Sequence, residues 1–178
     1  MGGVTALPRT ADRPRILIIV QNLPVPFDRR VWLESKALNA ASYDVTVVCP
    51  KGKNDPGHQV LDGVTLLKYR PYAPGGRGLS FVMEYAYSFL ATLFLVFRAR
   101  RRGKFAVLQA CNPPDIFWPI ARWLRHRDGT RFVFDHHDLC PELYDSRFPR
   151  GSALPRRGLL ALEKATFRTA DHVVATNA

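Results

Sequence analysis

The chain has 178 residues, 47% of them hydrophobic, and carries 26 Lys and Arg against 15 Asp and Glu, a net charge of +11. That length suits one domain, and the apolar content excludes an intrinsically disordered chain. The cationic excess calls for anionic company: phosphates, acidic lipid or nucleic acid.

Met1 to Arg13 lacks the apolar stretch of a secretory signal and reads as a loose tail ahead of a domain over 14–178. Arg15-Ile-Leu-Ile-Ile-Val20 is a continuous apolar run, as in a buried parallel strand. Pro24 and Pro26 keep Gln21 to Phe27 a loop, and Asp28 is a good N-cap for a helix from Arg29 to about Ala41. Asp44 to Cys49 reads as a strand, Pro50 to Gly57 as loop, and Val64 to Tyr69 as a short strand at an edge. Pro74, Gly75, Gly76 and Gly78 make Pro71 to Gly78 a connector.

Leu79 to Phe97 is the strongest apolar segment, closed by Arg98-Ala-Arg-Arg-Arg-Gly-Lys104. Glu84, with Ser80, Tyr85, Tyr87, Ser88 and Thr92, counts against a membrane span. Two readings remain: a helix lying on anionic lipid, which the adjoining cations favour, and a core helix covering the sheet. Phe105 to Ala110 is a strand, and Pro113 and Pro114 open a helix with the stripe Ile116, Ile120 and Leu124, which Pro119 would kink. Arg131 to Asp135 is a strand, Leu154 to Thr169 a helix and His172 to Thr176 a last strand. Alternating strands and helices predict an α/β domain: a Rossmann-like, mostly parallel sheet with helices on both faces.

Cys49, Cys111 and Cys140 show no Cys-x-x-Cys spacing, which fits a reducing compartment. The basic residues fall in three clusters, Arg98 to Lys104, Arg122 to Arg131 and Arg147 to Arg157, without a nucleic-acid-binding signature, so no nucleic acid is expected as partner. The first strand–helix loop has no glycine, which argues against the usual dinucleotide site. Arg29 and Arg30 at a helix N-terminus could hold a phosphate, or form a solvated helix start. Glu34 falls in the inward stripe with Arg30, Leu33, Ala37, Leu38 and Ala41, where an ion pair with Arg30 is the plain structural reading. Asn112 either faces a ligand at the sheet's carboxyl edge or caps the next helix, and Asp115 starts that helix.

Asp135-His-His-Asp-Leu-Cys-Pro-Glu142 crowds acids and imidazoles at the end of a strand, where open α/β sheets bind ligands. Neighbouring residues on a strand point to opposite faces, so His136 and His137 do not both aim inward, and no metal site is expected. A general base or a substrate-positioning group oriented by a carboxylate fits the cluster better.

The order Phe27-Asp-Arg-Arg-Val-Trp-Leu-Glu34, Tyr43-Asp-Val-Thr-Val-Val-Cys-Pro50, Asp135-His-His-Asp-Leu-Cys-Pro-Glu142 and Ala170-Asp-His-Val-Val-Ala-Thr176 resembles family-4 glycosyltransferases of the GT-B fold, over roughly Arg15 to Thr176. The resemblance implies the N-terminal, acceptor-side domain of a two-domain enzyme, cut at Ala178 before the C-terminal donor domain. It implies retaining transfer of a sugar from a nucleotide-sugar, without an essential metal or other cofactor, to a glycan or lipid-linked acceptor. With membrane contact through 79–104 read from the apolar run and its cations, such an enzyme is expected to be cytoplasmic and peripheral at the inner face of the cell membrane. His137 resembles the family histidine near the transferred sugar, and Asp138 would orient it. Asn22 to Arg30, including Asp28 and Arg29, resembles the acceptor-side loop; Arg30, Glu34, Asn112, His136 and Glu142 would complete the substrate contacts. Many relatives have a glycine pair in that loop, which this chain lacks. A stand-alone binding module for anionic lipid or glycan carriers remains an alternative, as does another Rossmann-type sugar-nucleotide enzyme.

Overall fold

A computed structural model of the chain describes residues 13–72, 79–137 and 153–175. Seven strands form one sheet: β1 (Arg15–Ile19), β2 (Asp44–Pro50), β3 (His58–Leu61), β4 (Val64–Tyr69), β5 (Val107–Cys111), β6 (Arg131–His136) and β7 (His172–Ala175). Among the described residues four helices flank it: α1 (Arg29–Ala40), α2 (Leu79–Arg100), α3 (Trp118–Asp128) and α4 (Ala153–Thr169). The strand order is β3-β4-β2-β1-β5-β6-β7, with only the β3–β4 pair antiparallel. The chain builds outward from β1 to one side, then returns to add β5, β6 and β7 on the other. The carboxyl ends of β1 and β5 therefore flank a topological switch point, the place where such sheets bind ligands.

The alternation of each strand divides the core between the two faces. Ile16, Ile18 and Val20 join Val45, Val47, Val64 and Leu66 under Val31 of α1. Leu17 and Ile19 join Phe105, Leu108, Phe132 and Phe134 under Val96 and Ala99 of α2 and Ile120, Ala121 and Leu124 of α3. Each fully buried Phe or Leu contributes about 1.5–3 kcal/mol relative to leaving it in water.

Arg15 fastens β1 to the end of α2. Its Nε donates to Asp44 Oδ2 at 2.9 Å, its Nη1 to the Gly103 carbonyl at 2.5 Å, and its guanidinium lies 4.4 Å from the Phe105 ring centre. A cation on the free carbonyls of a helix C-terminus also satisfies the helix dipole. Because β4 and β5 run parallel within the sheet, α2 starts at the sheet's carboxyl edge and returns to its amino edge.

Several boundaries differ from the sequence reading. Val64–Tyr69 is an interior strand; the edge is β3, which the sequence reading missed. Helix α3 starts at Trp118, not at Pro113, because Pro119 sits in its first turn, where a missing N–H costs nothing. Asn112 is therefore not a helix cap. Asp28 does cap α1, accepting from Val31 N at 3.1 Å. The phase so set buries Val31 and Ser35, while Leu33 is 57% exposed and Ala37 and Ala41 face water.

β3 and β4 join through Asp62–Gly63, both at positive φ (46° and 80°), the Asp-Gly pair that a tight hairpin requires. A Cβ on Gly63 would lie 2.5 Å from Asn39 Nδ2, which donates to the Asp62 carbonyl at 3.1 Å. Gly63→Val should lower stability by about 1–3 kcal/mol in urea unfolding; an unchanged midpoint would show that the turn tolerates a side chain.

Candidate active site at the switch point

Four segments converge beside β1 and β5. The loop after β1 is pinned by buried Val25, whose N–H approaches Cys49 Sγ at 3.5 Å, and by Asp28 N donating to the Pro24 carbonyl at 2.9 Å. That anchoring sets the position of the first turn of α1. Arg30 then projects over β5 onto the end of β6.

Asp135 and His137 are two residues apart and share the α1 side of the sheet. His136 between them takes the opposite side, packing its ring 5.3 Å from Phe134 and 5.1 Å from Phe167 of α4. Its Nε2 lies 3.5 Å from Glu163 Oε1. The two histidines thus serve different faces, as strand alternation requires.

Arg30 reaches both groups on the α1 side. Its Nη1 donates to Asp135 Oδ2, and its Nη2 lies 3.3 Å from His137 Nδ1. The Asp135 side chain is only 2% exposed, whereas that of Arg30 is 41% exposed. Asn112, fully buried at the end of β5, accepts the His137 backbone N–H on Oδ1 at 2.9 Å and donates its own N–H to the Asp135 carbonyl at 3.1 Å. One turn along α1, Glu34 Oε2 accepts from Gln109 Nε2 of β5 at 3.0 Å. The expected Arg30–Glu34 pair gives way to these two contacts, because β6 offers Arg30 a buried carboxylate and β5 offers Glu34 an amide.

The electrostatics separate the two acids. Burial works against ionisation of Asp135, but the Arg30 hydrogen bond and guanidinium charge outweigh it and hold the carboxyl below its ordinary range. Desolvation dominates at Glu34, and the Gln109 hydrogen bond only partly offsets it, so that carboxyl is pushed up. Burial likewise pushes the Cys111 thiol up, so it is no nucleophile at neutral pH.

Of the remaining residues singled out in the sequence, Asn22 and Arg29 are exposed on the loop and first turn beside this cluster, and Asp28 is engaged as the N-cap. Asp138 and Glu142 lie outside the described residues. Asp135, not chosen as a site residue from sequence, and Gln109 are the additions. The i, i+2 relation of Asp135 to His137 on a strand was the available signal for the first. Among the described residues no three His, Cys, Asp or Glu gather as a metal would need. A cavity of about 480 Å³ lies elsewhere, at the amino edge, lined in part by Arg13, Arg15, Asp44, Arg102 and Lys104. It is far from this cluster along the strands.

A raised carboxyl favours folding only while protonated, and that contribution fades as pH rises through the folded-state value. Glu34→Gln keeps an acceptor for Gln109 and removes the buried charge. Its melting temperature should match wild type in acid and exceed it at neutral pH; a lower value at neutral pH would mean that the ionised form is the stabilised one.

Comparison with known proteins agrees with the fold. Residues 28–178 match the family described as glycosyl transferase 4-like domain. No curated protein matches the sequence. Sucrose-phosphate synthase from Thermosynechococcus elongatus has a similar fold, with a TM-score of 0.67 at 15% identity over 90% of this chain and 42% of that one. UGT2 of Phytolacca americana is similar in its apo structure, with a TM-score of 0.58 at 12% identity over 93% of this chain and 46% of that one. Its complex with UDP-2fluoro-glucose and pterostilbene gives 0.59 at 11% identity, covering 93% and 48%. The chain therefore spans less than half the length of these enzymes. The chain belongs to the glycosyl transferase 4-like domain family and is a Rossmann-like glycosyltransferase domain of the GT-B type.

Proposed function

We propose that this domain is the acceptor-side half of a retaining glycosyltransferase that moves a sugar, of hexosyl type, from a nucleotide-sugar to a lipid-linked or polysaccharide acceptor. The observation that carries the reading is the meeting of Arg30, Asn112, Asp135 and His137 at the switch point of a domain of this family. The bound UDP-sugar analogue in UGT2 supports a nucleotide-sugar as donor. The reaction proceeds without an essential metal, at the inner face of the cell membrane. A donor-binding domain supplies the opposite wall of the cleft, and the 178-residue chain alone is inactive.

His137 is the residue that touches the reacting sugar or the acceptor hydroxyl. A guanidinium only donates hydrogen bonds, so the Arg30 Nη2 contact at 3.3 Å makes His137 Nδ1 an acceptor and leaves the hydrogen on Nε2. The Asp135 Oδ1 approach to the same Nδ1, at 3.6 Å, is too long to compete. Nε2–H then acts as a donor to a sugar oxygen, positioning the substrate rather than removing its proton. Asp135 neutralises Arg30 and fixes its fork, and Asn112 fixes the backbone of His137. Asn22, Asp28 and Arg29 line the acceptor approach, whereas His136 faces the other side of the sheet and takes no part in it.

In a two-domain transferase carrying this domain, His137→Ala should remove one positioned donor and lower kcat/KM about a hundredfold or more; undiminished transfer would remove His137 from the site. The 178-residue chain, given a panel of nucleotide-sugars, should show no transfer, and measurable turnover would overturn the half-site reading. Nitrogen-15 NMR of the imidazole should show an unprotonated Nδ1 and a protonated Nε2 for His137, with Arg30→Gln mixing the tautomers. A protonated Nδ1 in wild type would refute the assigned role of Arg30.

A further inference from the structure

We infer that the outer face of α2 is a seat for an anionic lipid bilayer, with the helix lying in the plane of the surface instead of crossing it. The inference rests on α2 alone and stands whether or not the cleft transfers sugar.

The helix is built inside out for a water-soluble domain. Its sheet-facing side buries Ser88, Thr92, Val96 and Ala99. Its outer side carries Met83, Tyr87, Leu90, Phe94 and Phe97, spaced four, three, four and three residues apart, which is one continuous stripe on a helix. Leu90 is 62% exposed and Phe94 65%. Apolar patches of this kind mark contact with another surface.

Charge identifies that surface. Arg98, Arg101, Arg102 and Lys104 continue the stripe at its C-terminal end, and all four are exposed. No carboxylate occurs between Tyr85 and Lys104. A second copy of the chain packed along the same stripe would offer these cations either their own kind or the single Glu84 at the other end of α2, whereas acidic headgroups neutralise them all. Arg102 and Lys104 also line the cavity at the amino edge, which offers room for a headgroup. The Phe97 ring lies 4.4 Å from that of Trp123 on α3, so an indole adjoins the stripe where aromatic side chains favour the interface.

The segment Val82–Arg100 is long and apolar enough to cross a membrane. Its attachment forbids that. Val96 and Ala99 are part of the core under β1, and Arg15 holds the Gly103 carbonyl and approaches that of Ala99 at 3.5 Å. Spanning would strip the cover from Leu17, Phe105 and Leu108. An amphipathic helix that keeps one face on protein and gives the other to lipid is the interfacial arrangement.

The test is co-sedimentation of the 178-residue chain with vesicles of phosphatidylglycerol and, separately, of phosphatidylcholine. Wild type should bind the anionic vesicles at least about tenfold more tightly, and alkaline carbonate should release it. Leu90→Ser with Phe94→Ser, both at exposed positions, should abolish binding while leaving the circular dichroism spectrum and melting temperature unchanged. Arg98→Gln with Arg101→Gln should weaken binding to the anionic vesicles and leave that to phosphatidylcholine unaltered. Equal binding by wild type and the Leu90/Phe94 variant, no binding by wild type, or resistance to carbonate would each overturn the proposal. So would a wild-type dimer in light scattering that the Leu90/Phe94 variant converts to monomer, since the stripe would then be a self-interface.

Discussion

The carboxyl edge of this domain depends on one buried charge, that of Asp135. A carboxylate 2% exposed at the end of an interior strand is costly unless it is paired, and α1 supplies the pairing through Arg30. The requirement propagates outward. Arg30 reaches Asp135 only because Asp28 caps the helix where it does, and Asp28 is placed by a loop whose Val25 is sunk in the core. A polar pair thus sets the rotation of α1 over the sheet, and the guanidinium that results is what His137 meets. Core packing, helix phase and site chemistry are here consequences of one another.

β6 divides labour between its sides. Phe132 and Phe134 point into the core shared with α2 and α3, and His136 continues that side toward Glu163 of α4. Asp135 and His137 occupy the other side with Arg30. Two adjacent imidazoles therefore belong to two environments, one enclosed by rings and one at the carboxyl edge beside Arg30. Asn112, from the neighbouring strand, spans the transition by holding backbone on both sides of the divide.

Much of this was legible in the residues, and the misses have physical causes. Continuous apolar runs such as Arg15–Val20 announce strands buried on both faces, and the structure has them there. β3 was missed because it is short and largely exposed, so it carries no apolar run; the Asp62–Gly63 pair was its signal. The face of α1 was misassigned because Leu33 looks like a core residue, yet the cap turns it to water and turns Ser35 inward. The start of α3 was placed too early because either Pro pair or Pro119 satisfies the rule for a first turn, and the rule does not choose between them. Asp135 and Asp138 both flank the histidine pair in sequence, and only strand alternation distinguishes Asp135 as the carboxylate on the His137 side. The convergence of Arg30 and Asp135, 105 positions apart in the chain, is a tertiary fact with no local signature.

The course of α2 has a geometrical consequence. The helix runs antiparallel to the strands, from the ligand edge to the cationic edge. Laid flat on a surface, it sets the strand axes parallel to that surface, so the edge carrying His137 opens sideways along it instead of away from it. On the proposed reading, a lipid-linked acceptor would then meet that edge by a search in two dimensions, and headgroup chemistry would act on encounter frequency without touching the reacting groups.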